Sequence, residues 1–386
     1  MIAFPVIEWA EGGQLHSARW RSSAGLAAPT RVVLADDTLT ADAAFRLASE
    51  GTAMLYRGDF QNARQLLQAM ARRIDKPPRR PRKNISASLN MVDVFNVHRQ
   101  AQSQRARTLG MLLLPLSAEY LIALRRAPDV QAACIAAYGA VDLAAVTGAD
   151  GSVVSLREIL GVIGAWEWRR KGVDVVAIGG RIHPHYGVFA PIRSEYVDLV
   201  ASAPLPATAL AFDIGTGTGV LAALLAQRGV TRIVATDMDE RALACARDNL
   251  DRLGFGARVE VVRADLFPAG RAQLIVCNPP WLPARPSSPL EHAVYDPESR
   301  MLRGFLGGLA AHLEPGGEGW LILSDLAEHL GLRSRAVLLA MIESAGLQVL
   351  ARVDIRPTHP RATAVADPLY AARSAEVTSL WRLAAD

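Results

Sequence analysis

The residues best suited to chemistry cluster in the second half of this 386-residue chain, beginning with Ala211-Phe-Asp-Ile-Gly-Thr-Gly-Thr-Gly219. An apolar run ending in Asp213 and then glycines at 215, 217 and 219 reads as a strand turning sharply into a helix. Glycine there lets the backbone approach a ligand closely, where a Cβ would collide. The dinucleotide fingerprint G-x-G-x-x-G is not met, because Val220 follows Gly219. Alternate glycines after an aspartate suit a nucleoside without a pyrophosphate better. A second apolar run ends at Asp237 in IVATDMD, where a carboxylate can accept both hydroxyls of a ribose. A third leads to Ala264-Asp-Leu-Phe267, putting Asp265 where it could bind an adenine amino group and Phe267 against the ring. A fourth run ends in Cys277-Asn-Pro-Pro-Trp281, a turn stiffened by two prolines.

Those residues require elements to hold them. After Pro204 the chain alternates apolar runs at 209–214, 232–236, 259–263, 273–277 and 319–323 with helical patterns at 219–228, 240–253, 300–313 and 333–345, and closes with runs at 348–354 and 377–383. Such alternation predicts an α/β doubly wound, Rossmann-like sheet, with these aspartates and Asn278 at the strand ends that bind ligands. The last two runs have no helical pattern between them, which leaves the final strand open to antiparallel pairing.

Glycine turn, Asp237, Asp265 and the Asn-Pro-Pro-Trp turn together resemble the class I S-adenosylmethionine-dependent methyltransferases that methylate amino groups, whose motif is (D/N/S)PP(Y/F/W). The resemblance implies a seven-stranded methyltransferase sheet and S-adenosyl-L-methionine as cofactor, bound by Asp213, Gly215, Thr216, Gly217, Gly219, Asp237, Met238, Asp265, Leu266 and Asn278. It gives catalysis to Asn278, Pro279, Pro280 and Trp281. A planar amide or ring-attached NH2 is a poor nucleophile because its lone pair is delocalised. Hydrogen bonds from it to the Asn278 side-chain oxygen and the Pro279 carbonyl would hold the nitrogen towards tetrahedral geometry, and Trp281 would stack on the acceptor plane.

Within that class, Gly187-Val-Phe-Ala-Pro-Ile-Arg-Ser-Glu-Tyr-Val-Asp198 resembles the Pro-x-x-x-Glu segment of the release-factor glutamine N5-methyltransferase (HemK-like) and methyltransferase small-domain group, which implies that Pro191 and Glu195 lie against the cofactor site. The stretch Ala293-Val-Tyr-Asp-Pro-Glu298 and the turn Glu314-Pro-Gly-Gly317 resemble the same group. Trp281 stands where that group usually has tyrosine, and no good copy of its Gly-Gly-x-Asp-Gly-Leu segment follows Pro297. The implied reaction is N-methylation of a protein glutamine or an RNA base, with a translation-related partner; a small-molecule acceptor and a non-catalytic binding module are the alternatives.

The N-terminal half matches no recognisable family. Helical periodicity over 39–74, 91–114, 127–138 and 156–170 predicts a mainly helical domain over 1–178, a candidate for acceptor recognition, ahead of a methyltransferase domain over 179–386. Thr40 and Asp42 are candidate helix caps. Runs at 173–178 and 185–189 around Gly179-Gly180 predict a hairpin. Residues 1–200 carry 24 basic against 18 acidic side chains, and residues 201–386 carry 18 against 20. The excess gathers in RRIDKPPRRPRK at 72–83, which reads as a solvated linker or a contact for RNA phosphates. His183 and His185 lack a partnering cluster of metal ligands, so no metal is expected. Glu291 and His292 are candidates for lining an acceptor pocket. Three cysteines without a CxxC pair exclude a disulfide framework, and Cys277 reads as a small core residue. The start MIAFPVIEWAEGG lacks a signal-peptide pattern, and no uncharged stretch nears the ~20 residues needed to span a bilayer. The expectation is a cytoplasmic protein without a membrane segment.

Overall fold

The computed structural model describes residues 5–76, 90–141, 151–286, 291, 293–357 and 367–386. Two compact units divide the chain: Met1–Leu89 with Asn96–Glu167, and Asn90–Phe95 with Trp168–Asp386.

The first unit corrects the expectation of a mainly helical domain. It holds a six-stranded mixed sheet made of β1 (Val6–Glu11), β2 (Gln14–Arg21), β3 (Arg31–Ala35), β4 (Thr52–Tyr56), β5 (Leu112–Leu116) and β6 (Ser152–Ser155), in the order β1-β2-β6-β5-β4-β3. Helices α1 (Ala41–Ser49), α2 (Phe60–Ile74), α3 (Met91–Gly110), α4 (Gln131–Tyr138) and α5 (Leu156–Lys171) fall in the first half of the chain. Strands β3, β4 and β5 are parallel neighbours, and α1 is the crossover from β3 to β4. All five residues of β4 are buried. A strand covered on both faces shows an unbroken apolar run, which periodicity cannot separate from a helix. That is why 39–74 and 91–114 read as continuous helical stretches. Thr40 does cap α1, its Oγ1 accepting from the Ala43 amide at 3.3 Å. Arg72 and Arg73 close α2, and Arg73 pairs with Asp42. The rest of the basic run, from 77 on, lies outside the described residues.

The second unit opens with β7 (Val173–Val175) and β8 (Gly180–Ile182), paired antiparallel across the left-handed Gly179. The hairpin is tighter than expected: its return arm is 180–182, while 185–189 is irregular. Then follow α6 (Glu195–Ser202), β9 (Leu210–Ile214), α7 (Val220–Gln227), β10 (Arg232–Asp237), α8 (Glu240–Arg252), β11 (Val259–Arg263), β12 (Ala272–Cys277), α9 (Arg300–His312), β13 (Leu313–Ser324), α10 (Leu326–His329), α11 (Arg335–Ser344), β14 (Leu347–Ile355), α12 (Tyr370–Ala375) and β15 (Thr378–Ala385).

These strands form one seven-stranded sheet, β11-β10-β9-β12-β13-β15-β14. From β11 to β13 all neighbours are parallel, and β15 inserts antiparallel between β13 and β14. The short helix α12 precedes β15, where the sequence shows no helical pattern. Glu314-Pro-Gly-Gly317 is the irregular start of β13, where its pairing with β12 shifts register. Alternate residues serve opposite cores. Ala211, Leu274, Val276, Trp320 and Ile322 pack with α6 and α7 on one face. Phe212, Ile275, Cys277, Leu321 and Leu323 pack with α9 and α11 on the other. This period of two, with both faces covered, fixes the register and therefore which residues emerge at the strand ends.

Candidate active site

The turn after β9 is tied to its neighbour by the amides of Gly215 and Thr216, which donate to the Thr236 carbonyl at 2.9 and 2.8 Å. Two of its glycines are required for different reasons. At Gly219 (φ +80°) a Cβ would sit 3.2 Å from Ala246 Cα, so glycine lets α7 and α8 approach each other. At Gly217 (φ +54°) a Cβ would meet no protein atom within 4 Å. That position faces open space, as a ligand cradle requires.

Asp213 is turned into the loop. Only 1% exposed, its Oδ2 accepts from Thr216 Oγ1 at 2.6 Å and from the Ala222 amide at 3.1 Å. Burial pushes its carboxyl up to about 6 despite those hydrogen bonds, which favour the charged form. Asp213 braces the turn from inside.

Asp237 ends β10 and faces the turn: its Oδ2 accepts from the Gly217 amide and its Oδ1 from the Asp239 amide, both at 3.0 Å. Burial raises its pKa, and these amides oppose the rise. Asp239 in turn caps α8 through the Arg241 amide at 3.0 Å. Met238 beside it is half exposed. Asp265 is exposed and pairs with Arg300 at 3.1 Å. Leu266 adopts φ +74°; its carbonyl accepts from Thr236 Oγ1 at 2.6 Å, and its side chain lies against Gly304. Phe267 is placed differently from the sequence reading. Its ring stacks on His312 at 4.3 Å and on Phe305 at 5.8 Å, packing onto α9 rather than standing free for a ligand ring.

After β12, Pro279 is buried, and Asn278, Pro280 and Trp281 are half-buried. The Trp281 indole N–H donates to Asn278 Oδ1 at 2.9 Å. A returning segment holds the turn: Leu282 donates to the Val294 carbonyl at 3.2 Å, and its own carbonyl accepts from Asp296 at 2.8 Å. Asp296, 4% exposed, caps α9 by accepting from the Met301 and Leu302 amides. Arg333, 6% exposed, donates to the Trp281 carbonyl at 3.3 Å and to Ser299 Oγ at 3.1 Å. Glu298 and Ser299 are successive left-handed residues, a conformation costing roughly 1–2 kcal/mol each.

Pro191 is buried, and Glu195 is the first residue of α6. Its carboxylate accepts from Arg193 Nε at 2.5 Å, and Arg193 reaches Glu376 at 3.0 Å and lies 4.9 Å from the Trp281 ring centroid. These contacts tie Glu195 to the Asn278–Trp281 turn.

Sequence reasoning missed Arg193, Asp296, Arg333 and Glu376. Only Asp296 had a local signal, an Asp-Pro step before a helical pattern. The Glu291 carbonyl receives the Val294 and Tyr295 amides at 3.0 and 2.9 Å, and His292 lies outside the described residues. His183 Nδ1 is 2.7 Å from the Arg169 carbonyl and His185 Nε2 is 3.0 Å from Asp248. Among the described residues no group of three or more His, Cys, Asp or Glu is placed to hold a metal ion, and no helix is long and apolar enough to cross a membrane. Cys277 is fully buried, and burial pushes its thiol up, which leaves it inert.

A sheet in this order, with a glycine turn after its first strand and a carboxylate closing the second, is the fold of the S-adenosylmethionine-dependent methyltransferases. Residues 181–335 match the methyltransferase small domain. A release factor glutamine methyltransferase from Cereibacter sphaeroides is 34% identical over 179 residues, 43% of this chain and 61% of that protein. The tRNA1(Val) (adenine(37)-N6)-methyltransferase of Pedobacter heparinus is 33% identical over 162 residues, 38% of this chain and 69% of that one. Its namesake from Shewanella loihica is 29% identical over 176 residues, 43% and 70%. Through its C-terminal half the chain belongs to the methyltransferase small-domain family.

Proposed function

We propose that the chain is an S-adenosylmethionine-dependent N-methyltransferase whose acceptor is a planar amide or exocyclic amino nitrogen of a macromolecule, a protein glutamine or an RNA base. The observation that carries this reading is the alignment of three ligand-facing features on adjacent strands: Asp237 after β10, the open Gly217 cradle after β9 and Asn278 after β12. The cradle fits the cofactor, because glycine leaves room beside an amide and a carboxylate suited to ribose hydroxyls. Gly217, Asp237 and Met238 would hold its nucleoside, with Asp265 toward the base.

The cofactor supplies an electrophilic methyl group. The protein's part is to hold the acceptor nitrogen. Asn278 Oδ1 spends one lone pair on the Trp281 N–H and keeps a second for an acceptor N–H. The Pro279 carbonyl supplies another acceptor, since proline fixes the turn that aims it. Preorganised acceptors favour the pyramidal nitrogen that forms on methylation. Relatives named for a protein glutamine and for a tRNA adenine support a macromolecular acceptor of either kind.

The test is methyl-labelled cofactor incubated with the protein and cell extract, then digested with ribonuclease or protease. Label released by one digestion names the acceptor class. Label found only in small molecules, untouched by both digestions, refutes the macromolecular reading. An Asn278→Ala variant is expected to bind S-adenosylhomocysteine as the wild type does and to lose at least about 99% of transfer, as loss of a transition-state hydrogen-bond partner predicts; retained transfer excludes the proposed role of Asn278.

A further inference from the structure

Trp281 departs from the tyrosine usual in its motif, and its surroundings show what the indole does. Its N–H donates to Asn278 Oδ1 at 2.9 Å, while its ring packs on the core behind β12 and β13. The Arg193 guanidinium covers the ring at 4.9 Å. Arg193 is itself held by two carboxylates, Glu195 at 2.5 Å and Glu376 at 3.0 Å, which are 4% and 2% exposed. Glu376 also accepts from Ser324 Oγ at 2.7 Å. With Arg193 on the ring and the core beside it, Trp281 is engaged by the protein itself.

We propose that Arg193 is a positioning residue for the acceptor-binding turn: clamped by Glu195 and Glu376, it holds Trp281 so that the indole N–H fixes the orientation of the Asn278 amide. The inference rests on the reading of Asn278 as the acceptor's hydrogen-bond partner. A free asparagine amide presents its oxygen or its NH2 by a half-turn about its last torsion, and only the oxygen can accept from an acceptor's N–H. An indole N–H is donor-only, so it selects the oxygen and leaves one lone pair for the substrate. Phenylalanine has no donor, and a tyrosine hydroxyl sits at the far tip of its ring. Arginine suits the clamp because its planar fork can stack on the indole while bonding two carboxylates; a lysine ammonium cannot do both.

The experiment is indole 15N–1H spectroscopy of the full-length protein, whose seven tryptophans give seven resonances. Trp281 is assigned by the peak that Trp281→Phe removes. Asn278→Ala and Arg193→Ala should each shift that peak and raise its exchange with solvent by about tenfold or more, the equivalent of one lost hydrogen bond. Arg193→Lys should fail to restore it. If Arg193→Ala does not fold, Glu376→Gln, which keeps side-chain volume, should produce the same shift. A Trp281 peak unchanged in position and exchange in the folded Arg193 or Glu376 variant overturns the proposal. Calorimetry with S-adenosylhomocysteine separates the two readings: the Arg193 variant should keep wild-type affinity within about twofold, as expected when no contact to the ligand is removed. Loss of that affinity in the variant alone assigns Arg193 to the cofactor and overturns the positioning role. Absence of binding in the wild type refutes the cofactor assignment and leaves the indole result standing.

Discussion

Replacing Asp213 with asparagine separates a residue that builds the glycine turn from one that touches the cofactor. Both hydrogen bonds to Asp213 end on a single oxygen, Oδ2, which an asparagine carbonyl can reproduce at nearly constant volume. The substitution removes only a charge that burial makes costly. With the carboxyl at about 6 in the folded protein against an ordinary 3.8, the native state binds more protons than the unfolded chain between pH ~4 and ~6. The contribution of this group is therefore greatest below pH 4, falls as pH rises through 6, and is constant above. Linkage puts the full cost at about 3 kcal/mol at neutral pH, of which about 2 kcal/mol accrues between pH 4.5 and 7.5. The value of about 6 already includes the Thr216 and Ala222 hydrogen bonds that favour the charged form, so this cost is net of them. The informative quantity is the pH dependence of the difference between the two proteins. Urea denaturation at both pH values should show Asp213→Asn gaining about 2 kcal/mol on the wild type as pH rises from 4.5 to 7.5. Affinity for S-adenosylhomocysteine, by calorimetry, should change less than about threefold, since the turn's hydrogen bonds persist. Parallel pH curves for the two proteins would refute the buried-charge reasoning, and loss of ligand binding in a folded variant would return Asp213 to the ligand.

The two glycines of the turn should respond differently to alanine. Gly217→Ala meets no neighbour and should cost only the ~1–2 kcal/mol of a left-handed alanine in thermal unfolding, yet weaken S-adenosylhomocysteine binding at least tenfold. Gly219→Ala adds a collision with the Ala246 backbone and should cost about 2–4 kcal/mol; equal stability losses would contradict these separate roles. Asp237→Ala frees the Gly217 and Asp239 amides and removes the proposed ribose acceptor, so affinity should fall roughly 10–100-fold, by the ~1.5–3 kcal/mol typical of a charged hydrogen-bond partner. An affinity within twofold of wild type would remove Asp237 from the site.

The N-terminal sheet was hidden for reasons visible in its strands. Thr52–Tyr56 and Leu112–Leu116 are buried almost throughout, so they alternate nothing and blend into the helices around them. Gly51 and Gly58 lie inside the run at 39–74 that reads as helical; Gly51 is a turn and Gly58 a bend. Gly51 is left-handed, and at Gly58 a Cβ would meet Asp37 Oδ1 at 2.5 Å, where Asp37 accepts from the Asp59 amide and ties β3 to the start of α2. The hairpin β1–β2 did carry a local signal. Gly12 and Gly13, at φ +60° and +79°, form a two-residue connection closed by the Glu11–Gln14 pair. In the C-terminal half, apolar runs were separated by turns and helices of distinct period, so all seven strands were legible. The buried Asp213 marks the limit: the sequence placed it correctly at a strand end and could not tell that its carboxylate turns inward.

The site divides along the same line. Asp237 ends β10, Gly217 lies in the turn just after β9 and Asn278 follows β12, and in a parallel sheet such positions fall at the ligand-binding edge. Their partners obey no such rule. Arg193 and Glu376 are 183 positions apart and meet only because β15 enters the sheet beside β13, setting Thr378 opposite Ser324 and bringing Glu376 to its hydroxyl. Arg333 reaches the Trp281 carbonyl across 52 positions for a similar reason. Residues that a strand presents belong to local pattern, whereas residues that clamp what it presents belong to topology. The cofactor cradle is of the first kind. The proposed Arg193 clamp on Trp281 is of the second, which is why a linear motif carries the cradle and not the clamp.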